Sequence, residues 1–473
     1  MRKIAIATAA LAVLGAGLAG CGKAPEGAKT DTPKTEALLD VAVITPVPLP
    51  TTANYPVAAA TINGWIANSD TAAIRNHAWQ IWEAMAQPSG QSFNGQSLPI
   101  WETWAGTDDV FPPAPPAGAA ATTTTVAQRV AAPRKLRVFQ QPNQFHHGRG
   151  GITPTKFDTT VTSFNKFSPE AAAFLDASHP GPGGASYRYS STSDMQKLNT
   201  SWPAGTTPQN RGVQDFPVRG LELKPVFGLV HSTGLSLQPL WQGPAASTNA
   251  QNPEPQTWTT CVLVAPTGQG PVRPATPREK ASIRNPGACT TFLWAPMSTF
   301  YSVKLSAAEA KDYNTANGLT GDNAAVAGDF AVLQAMHVNS KEIPFWTWQT
   351  FWWQPGADTP NSFPGSKQGQ PATLSGPWTN YATCTAYDQT TTQGGSTMTV
   401  CFNPYLETST GIPAGITSNC MSCHGVAVIT AGNAPYPADY KKPIKFFSDP
   451  LYFTTSNTHA DFSWALAGNS DPN

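Results

Sequence analysis

Residues 329–353 read DFAVLQAMHVNSKEIPFWTWQTFWW and contain two different patterns. The first part, residues 329–338, is a short and mostly apolar run that predicts a buried strand. Pro344 suits the first turn of a helix, so we expect the aromatic run 345–353 to be a short helix. This helix is expected to pack in the core, and the alternative is that it forms a wall of a cofactor pocket.

The segments on either side predict an α+β fold that is rich in strands. Runs of strand-forming or alternating residues predict strands at 221–224 and 257–264. A helix is predicted over residues 70–87, where Asp70 can cap the N-terminus. Another helix is expected to begin at Ser306, because Glu309 completes a capping box with it.

The composition is typical of a strand-rich exported protein. The chain has 473 residues, with 29 basic and 29 acidic side chains, so its formal net charge is zero. This balance argues against a nucleic-acid binder, which needs a dense basic surface. The basic run at 129–137 is expected to be the solvated face of a strand. Fifteen Trp and only 12% charged residues fit the exported class.

The N-terminus has the pattern of a secretory signal. Arg2 and Lys3 precede an apolar run, residues 4–19, which is too short for a membrane span of about 20 residues. The run leads into Leu-Ala-Gly-Cys21, which resembles the lipobox of bacterial lipoproteins. That resemblance implies cleavage before Cys21 and lipidation of Cys21, and Gly22 after it favours the outer membrane. The alternative is an ordinary signal peptide.

The cysteines divide into a lipidation site, a motif pair and two expected disulfides. They are Cys21, Cys261, Cys289, Cys384, Cys401, Cys420 and Cys423. Export places the chain in an oxidising compartment, where disulfides persist. Proximity in sequence predicts the pairs Cys261–Cys289 and Cys384–Cys401, with four unpaired thiols as the alternative.

The second disulfide has a structural rationale in the sequence. Residues 381–387 and 397–402 are rich in strand formers, and Gly394-Gly395 lies between them. This arrangement predicts a hairpin in which Cys384 and Cys401 face each other. A closed loop of this size contributes about 3 kcal/mol in the chain-entropy model.

The motif Cys420-Met-Ser-Cys-His424 predicts covalent attachment of one haem c. Cysteines at i and i+3 lie on one face of a helix, so both can bond to the vinyl groups of one haem. The His after the second Cys is then placed to bind the iron as its proximal ligand. Ser418 or Asn419 can cap the helix. A zinc site would need two more ligands, and a thioredoxin-like pair would need a βαβ context.

The motif resembles that of c-type cytochromes, but the rest of the pattern departs from small members of that family. Those proteins place a Met ligand after the motif, whereas no Met follows His424 here. Five other stretches are similar to a group of bacterial single-haem cytochrome c family proteins. They are Asn76-His-Ala-Trp79, Trp101-Glu-Thr-Trp104, Met336-His-Val-Asn-Ser-Lys-Glu-Ile-Pro344, Phe402-Asn-Pro-Tyr-Leu406 and Asp461-Phe-Ser-Trp464. This resemblance implies an architecture but no substrate.

The sequence leaves several candidates for the sixth iron ligand. The candidates are His337, then His459 and Met398, and an open sixth position is a further alternative. His77 lies in a helix beside Trp residues and is expected to be a core histidine. His146 and His147 are expected to lie in a surface loop.

These patterns predict a signal peptide at 1–20, a flexible tether at 21–58, a β-rich domain with disulfides at 59–410 and a haem c-binding segment at 411–473. The last segment is expected to be short, mainly helical and packed on the β-rich domain. We expect a lipid-anchored monohaem cytochrome that transfers electrons on the periplasmic side of the envelope, with a redox partner that the sequence does not identify. The alternatives are a peroxidase- or oxygenase-like haem enzyme and a haem sensor or ligand-binding lipoprotein.

Overall fold

The computed structural model describes residues 37–112, 124–140, 162–243, 255–356, 363, 365–408, 415–429 and 457–469. The expected signal peptide, Cys21, His146 and His147 lie outside these residues. The described residues from Leu38 onward belong to one compact unit. Within them, no helix is both long enough and apolar enough to cross a bilayer.

The helices are mostly short. Their bounds are α1 Ala59–Ala67, α2 Thr71–Ala86, α3 Thr107–Val110, α4 Val126–Val130, α5 Pro169–Asp176, α6 Thr192–Thr200, α7 Pro277–Ala281, α8 Ala307–Asn317, α9 Cys420–His424 and α10 Trp464–Asn469.

The strands outnumber the helices in the part of the chain that the structure describes. Their bounds are β1 Pro88–Phe93, β2 Gln96–Pro99, β3 Ala105–Gly106, β4 Thr162–Ser163, β5 Lys166–Phe167, β6 Ser178–Pro180, β7 Ser186–Arg188, β8 Leu221–Val230, β9 Ser236–Pro239, β10 Thr260–Ala265, β11 Arg273–Pro274, β12 Thr291–Pro296, β13 Ser302–Lys304, β14 Phe330–Ser340, β15 Thr347–Trp353, β16 Tyr381–Thr385, β17 Val428–Ile429 and β18 Thr458–His459.

An antiparallel main sheet carries the two largest cores. Its strand order is β16-β15-β14-β8-β5-β3, with β13 also paired to β14 and β4 to β8. The register of β14 and β8 places His337 opposite Lys224 and Asn339 opposite Glu222. A second sheet has the order β11-β12-β10-β9, and its β10–β12 pair is parallel.

The two faces of the main sheet bury different clusters of side chains. On one face, here called the α2 face, Trp82 of α2 stacks on Phe351 of β15 with ring centroids 4.2 Å apart. On the other face, here called the motif face, Trp348 and Trp352 pack in one cluster with Met421 of α9. The motif helix therefore shares a core with the sheet.

Several elements match the predictions from sequence. Helix α2 begins after Asp70, whose carboxylate accepts a hydrogen bond from the Ala73 amide at 3.0 Å. Helix α8 begins after Ser306 with the expected capping box to Glu309. Strands β8, β10 and β14 lie where buried or alternating strands were predicted. The strand-rich α+β class is confirmed.

The predicted helix at 345–353 is wrong, because this segment contains strand β15. Alternate residues of the strand enter opposite cores: Trp348 and Trp352 lie on the motif face, and Phe351 and Trp353 lie on the α2 face. A strand places successive side chains on opposite faces, so it can bury both sets of aromatic side chains in two different cores.

The predicted hairpin forms only in part. Strand β16 pairs with β15, not with residues 397–402, and the one bridge across the expected turn joins Thr390 to Met398. The Cys401 amide instead donates to the carbonyl of Ser418 at 3.1 Å. The loop therefore contacts the residues before the motif helix.

The expected tether ends earlier than residue 58. Ile44, Leu49 and Tyr55 are only 4%, 3% and 6% exposed. Ala42 and Arg134 exchange two backbone hydrogen bonds. Burial of these apolar side chains keeps the Pro-rich segment packed on the domain, although its composition favours a linker.

The basic run at 129–137 is not a solvated strand face. Arg134 and Arg137 are 6% and 1% exposed. Arg134 pairs with Asp109 at 2.8 Å, and Arg137 is paired with both Glu102 and Glu309. Burial of a guanidinium is tolerated here because carboxylates surround it.

Candidate haem site

The motif helix α9 is fixed at its N-terminus by Asn419. The Asn419 side-chain oxygen accepts a hydrogen bond from the Ser422 amide at 2.8 Å, which is the N-cap interaction expected from sequence. The Asn419 side-chain nitrogen donates to the carbonyls of Thr399 and Gln389 at 2.8 and 3.1 Å. One side chain thus caps the helix and holds it to the preceding loop.

The motif cysteines are the two described cysteines that remain as thiols. The other four form Cys261–Cys289 and Cys384–Cys401, which are the pairs expected from sequence. Burial raises the pKa of Cys423 to about 12 and that of Cys420 well above its usual value. Both are therefore neutral, protonated thiols at neutral pH.

The contacts of His424 include a hydrogen bond to the Phe462 carbonyl and a ring contact with Trp348. A carbonyl oxygen can only accept, so the 2.8 Å contact between His424 Nδ1 and the Phe462 carbonyl requires a proton on Nδ1. The neutral ring then carries its lone pair on Nε2, the usual arrangement for a metal-binding His. The Trp348 ring lies 4.4 Å from the His424 ring, centroid to centroid.

His424 lines a cavity of about 250 Å³ over the motif face of the main sheet. Strands β8 and β14 supply polar side chains to its lining, namely Glu222, Lys224, His337 and Asn339. These four face one another across two paired strands, as the register requires. The cavity therefore combines the motif histidine with a patch of buried polar groups.

Burial perturbs the ionisable groups of this patch. Loss of hydration lowers the pKa of Lys224 to about 8, although Glu407 acts in the opposite direction. Burial raises the pKa of Glu222 to about 7, and the hydroxyl of Ser463 donates to this carboxyl at 2.7 Å. Perturbed pairs of this kind concentrate at functional sites.

His337 is brought into this cavity together with His424. Its Nε2 lies 2.8 Å from Oε1 of Glu407. When Nε2 carries the donated proton, the lone pair of the ring lies on Nδ1. A carboxylate that orients an imidazole in this way is a common second partner of a metal-binding histidine.

The other candidate ligands lie elsewhere. Met398 Sδ accepts from Asn419 and from the hydroxyl of Ser422 at 3.3 and 3.4 Å. Ser422 is two positions from both Cys420 and His424, so at about 100° per residue it lies on the opposite side of α9. Met398 is therefore placed away from the face that presents the motif residues.

His459 and His77 do not line the cavity. His459 ends strand β18, and burial lowers its pKa to about 4. His77 is 1% exposed and lies between the Tyr387 hydroxyl at 2.6 Å and Glu342 at 3.1 Å. His77 is thus the buried core histidine expected from sequence.

Sequence reasoning missed four groups of this site. Glu222 and Lys224 alternate with leucines in a strand that was correctly predicted, and charged residues on one face of a central strand were the available signal. Glu407 and the Phe462 carbonyl gave no such signal, because they meet their partners only in the folded chain.

The donor set of the motif helix fits covalent attachment of a haem, but neither thiol lines the cavity that His424 lines. The motif helix carries two thiols and a histidine with its lone pair on Nε2, and Trp348 packs against the ring of that histidine. A volume of about 250 Å³ is below the range of about 300–1,000 Å³ for pockets that enclose a drug-sized ligand. The cavity by itself is therefore too small to enclose a whole haem.

No family model, curated protein or solved structure matches this chain. In the described part of the chain, no three His, Cys, Asp or Glu side chains form a group suited to a bare metal ion.

Proposed function

We propose that this protein is a lipid-anchored c-type cytochrome that carries one haem and transfers electrons on the periplasmic side of the cell envelope. The observation that supports this most is the geometry of α9, where two thiols are followed by a histidine with a protonated Nδ1. This is the arrangement that thioether attachment and proximal ligation by Nε2 require.

The haem would supply the one-electron chemistry, and the chain supplies attachment, orientation and burial. Cys420 and Cys423 are the attachment sites, and His424 is the proximal ligand. The Phe462 carbonyl holds the imidazole in one tautomer, and Trp348 limits its rotation. The aromatic and polar walls of the cavity limit how much water reaches the site. Solvent exposure is one of the factors that determine a reduction potential.

His337 is our proposed sixth ligand, through Nδ1. Of the three named candidates, it is the one that shares a cavity with His424, and Glu407 holds its other ring nitrogen. His459 and Met398 are the second and third choices. Ligation by two histidines favours a lower potential than ligation by His and Met, because a Met ligand raises it.

A second candidate function is supported by the same His337–Glu407 pair. A histidine oriented by a carboxylate can act as a general base or acid toward a molecule bound in the cavity. Lys224, with its lowered pKa, faces the same space. In that case the sixth position is open, and the protein is a peroxidase- or oxygenase-like enzyme.

The optical spectrum of the purified holoprotein in both redox states separates the two candidates. Electron transfer with His337 bound predicts low-spin, six-coordinate iron that does not bind CO when reduced. The enzyme predicts high-spin iron that binds CO and cyanide. Acid–acetone extraction tests the cofactor itself, since the intact mass must retain one haem, and complete removal of haem would refute both candidates.

The envelope location is tested at Cys21. Changing Cys21→Ser should leave the precursor unprocessed or release the protein into the soluble periplasmic fraction. The acyl chains anchor the protein because each methylene buried in the bilayer contributes about 0.8 kcal/mol of binding free energy. A Cys21→Ser protein that still fractionates with outer membranes after washing with concentrated salt would place the anchor elsewhere.

A further inference from the structure

Residues 461–464, here called the 461–464 turn, contact the motif helix at two points. The Phe462 carbonyl accepts the hydrogen bond from His424 Nδ1 at 2.8 Å. The indole nitrogen of Trp464 donates to the Cys423 carbonyl at 3.2 Å. The position of this turn therefore determines the position of the carbonyl that accepts the hydrogen bond from His424.

The same turn is tied to the main sheet by a buried ion pair. Lys341 directly follows β14, and its Nζ donates to Asp461 Oδ1 at 2.6 Å and to the Pro344 carbonyl at 2.8 Å. The side chains of Lys341 and Asp461 are only 4% and 7% exposed. Asp215 also lies 3.0 Å from Nζ, but its side chain is 79% exposed. The ammonium is thus compensated mainly by Asp461.

The backbone of the turn is in a conformation that needs such support. Asp461 and Phe462 have φ values of 46° and 67°, in the left-handed region that residues with a Cβ rarely adopt. The second carboxylate oxygen of Asp461 accepts from the Phe216 amide at 2.9 Å. Two side-chain interactions of Asp461 therefore hold the backbone conformation in which the Phe462 carbonyl meets His424.

We propose that Lys341 and Asp461 are positioning residues that fix the imidazole of His424 through the 461–464 turn. The inference rests on the proposed haem function. A strong acceptor on Nδ1–H raises the basicity of a histidine ligand and thereby stabilises the more oxidised metal. The pair thus keeps the reduction potential lower than it would be with a displaced carbonyl.

The experiment compares four variants of the holoprotein by spectroelectrochemical titration. Asp461→Ala removes both side-chain interactions, and Lys341→Met removes the cation. Asp461→Asn keeps the acceptor oxygen, and Asn adopts the left-handed region more readily than most residues. Lys135→Met is the matched control, because Lys135 is 44% exposed, pairs with Asp312 at 2.9 Å, and neither residue lines the cavity.

Asp461→Ala and Lys341→Met should shift the potential upward, Asp461→Asn should restore most of the wild-type value, and Lys135→Met should leave it unchanged. Unchanged potentials in both Asp461→Ala and Lys341→Met, with only a lower thermal midpoint, would reduce the pair to a structural role and overturn the proposal. An equal shift in Lys135→Met would overturn it as well.

A wild-type protein without haem would refute the proposed function instead, and the positioning role is then measured on that haem-free chain. With ¹⁵N-labelled histidine and His424→Gln for assignment, the wild-type ring should carry its proton on Nδ1. Asp461→Ala should show a mixture of the two tautomers. Identical His424 ring signals in the two proteins would exclude the positioning role.

Discussion

The two faces of the main sheet bury charged groups in opposite ways. Beside the α2 face, the guanidinium of Arg137 is enclosed by Glu102 and Glu309, and Tyr301 donates its hydroxyl to Glu102. On the motif face, Glu222 of β8 is buried and Lys224 is half-buried, and the pKa values of both are shifted toward the neutral forms. Neighbouring charges compensate for lost hydration at Arg137 and do so only partly at Glu222 and Lys224.

This difference separates stability from function within one sheet. A compensated buried charge is costly to remove but chemically inert at neutral pH. A buried group whose charge is only partly compensated titrates near neutral pH and can exchange protons with a redox centre. Variants at Arg137 should therefore change mainly the free energy of unfolding, and variants on the motif face should change its pH dependence or the spectrum of the proposed haem.

The largest expected effect is at the motif thiols. The double variant Cys420→Ser, Cys423→Ser should lose all covalent haem, because no thioether can form. Intact mass after acid–acetone extraction measures this. The matched control is Cys261→Ala, Cys289→Ala in the second sheet, which should keep the haem while losing about 2–4 kcal/mol of stability. Haem retained in the serine variant would show that attachment lies elsewhere.

On the α2 face, Arg137→Met should lower the free energy of unfolding by about 3–5 kcal/mol, because Glu102 and Glu309 remain buried without their cation. Urea unfolding measures the loss. The exposed pair of Lys135 and Asp312 is the control, and Lys135→Met should cost at most about 1 kcal/mol. The haem spectrum should be intact in both, and a changed spectrum in Arg137→Met would argue against the division between the faces.

On the motif face, Glu222 should make stability depend on pH. Burial raises its pKa from 4.5 to about 7, so the folded state holds the proton more tightly than the unfolded state. Its contribution is present below pH 4.5 and is lost as the pH rises to about 7. Relative to Glu222→Gln, the wild type should therefore lose up to roughly 3 kcal/mol across this window.

Unfolding of both proteins at about pH 4.5 and about pH 7.5 measures the Glu222 effect, because shared titrations cancel in the difference. Glu279→Gln is the control. Its hydrogen bonds with Arg273 and Thr276 lower its pKa to about 2, so its contribution is lost below this window. A constant difference between wild type and Glu222→Gln would show that Glu222 is ionised normally.

The smallest change in stability is expected for a pair of histidines, one on each face. His337→Ala should convert low-spin haem to high-spin haem that binds CO. It should cost less stability than His77→Ala, because the side chains of His337 and Glu407 are 10% and 16% exposed and those of His77 and Glu342 only 1% and 0%. His77→Ala removes a buried partner of Tyr387 and Glu342, so it should cost about 1–3 kcal/mol and leave the spectrum intact. An unchanged low-spin spectrum in His337→Ala would transfer the sixth-ligand assignment to His459, then to Met398.

Local sequence signals determined the features that depend on residues close together in the chain. Asp70 and Ser306 cap their helices with amides three positions away, and Asn419 does the same for the motif helix. The attachment motif is equally local, since its three groups span one helical turn. Such contacts have a low entropic cost of closure, so the pattern alone is sufficient to specify them.

Only the tertiary structure decided how the site is assembled. His337 meets Glu407 across 70 positions, and His424 meets the Phe462 carbonyl across 38 positions. The run 345–353 contains strand β15 because two cores flank it, and the periodicity of this mostly aromatic run does not report that. Long-range packing chose the partners of these residues, because each contact joins a residue to a turn that lies far from it in the sequence.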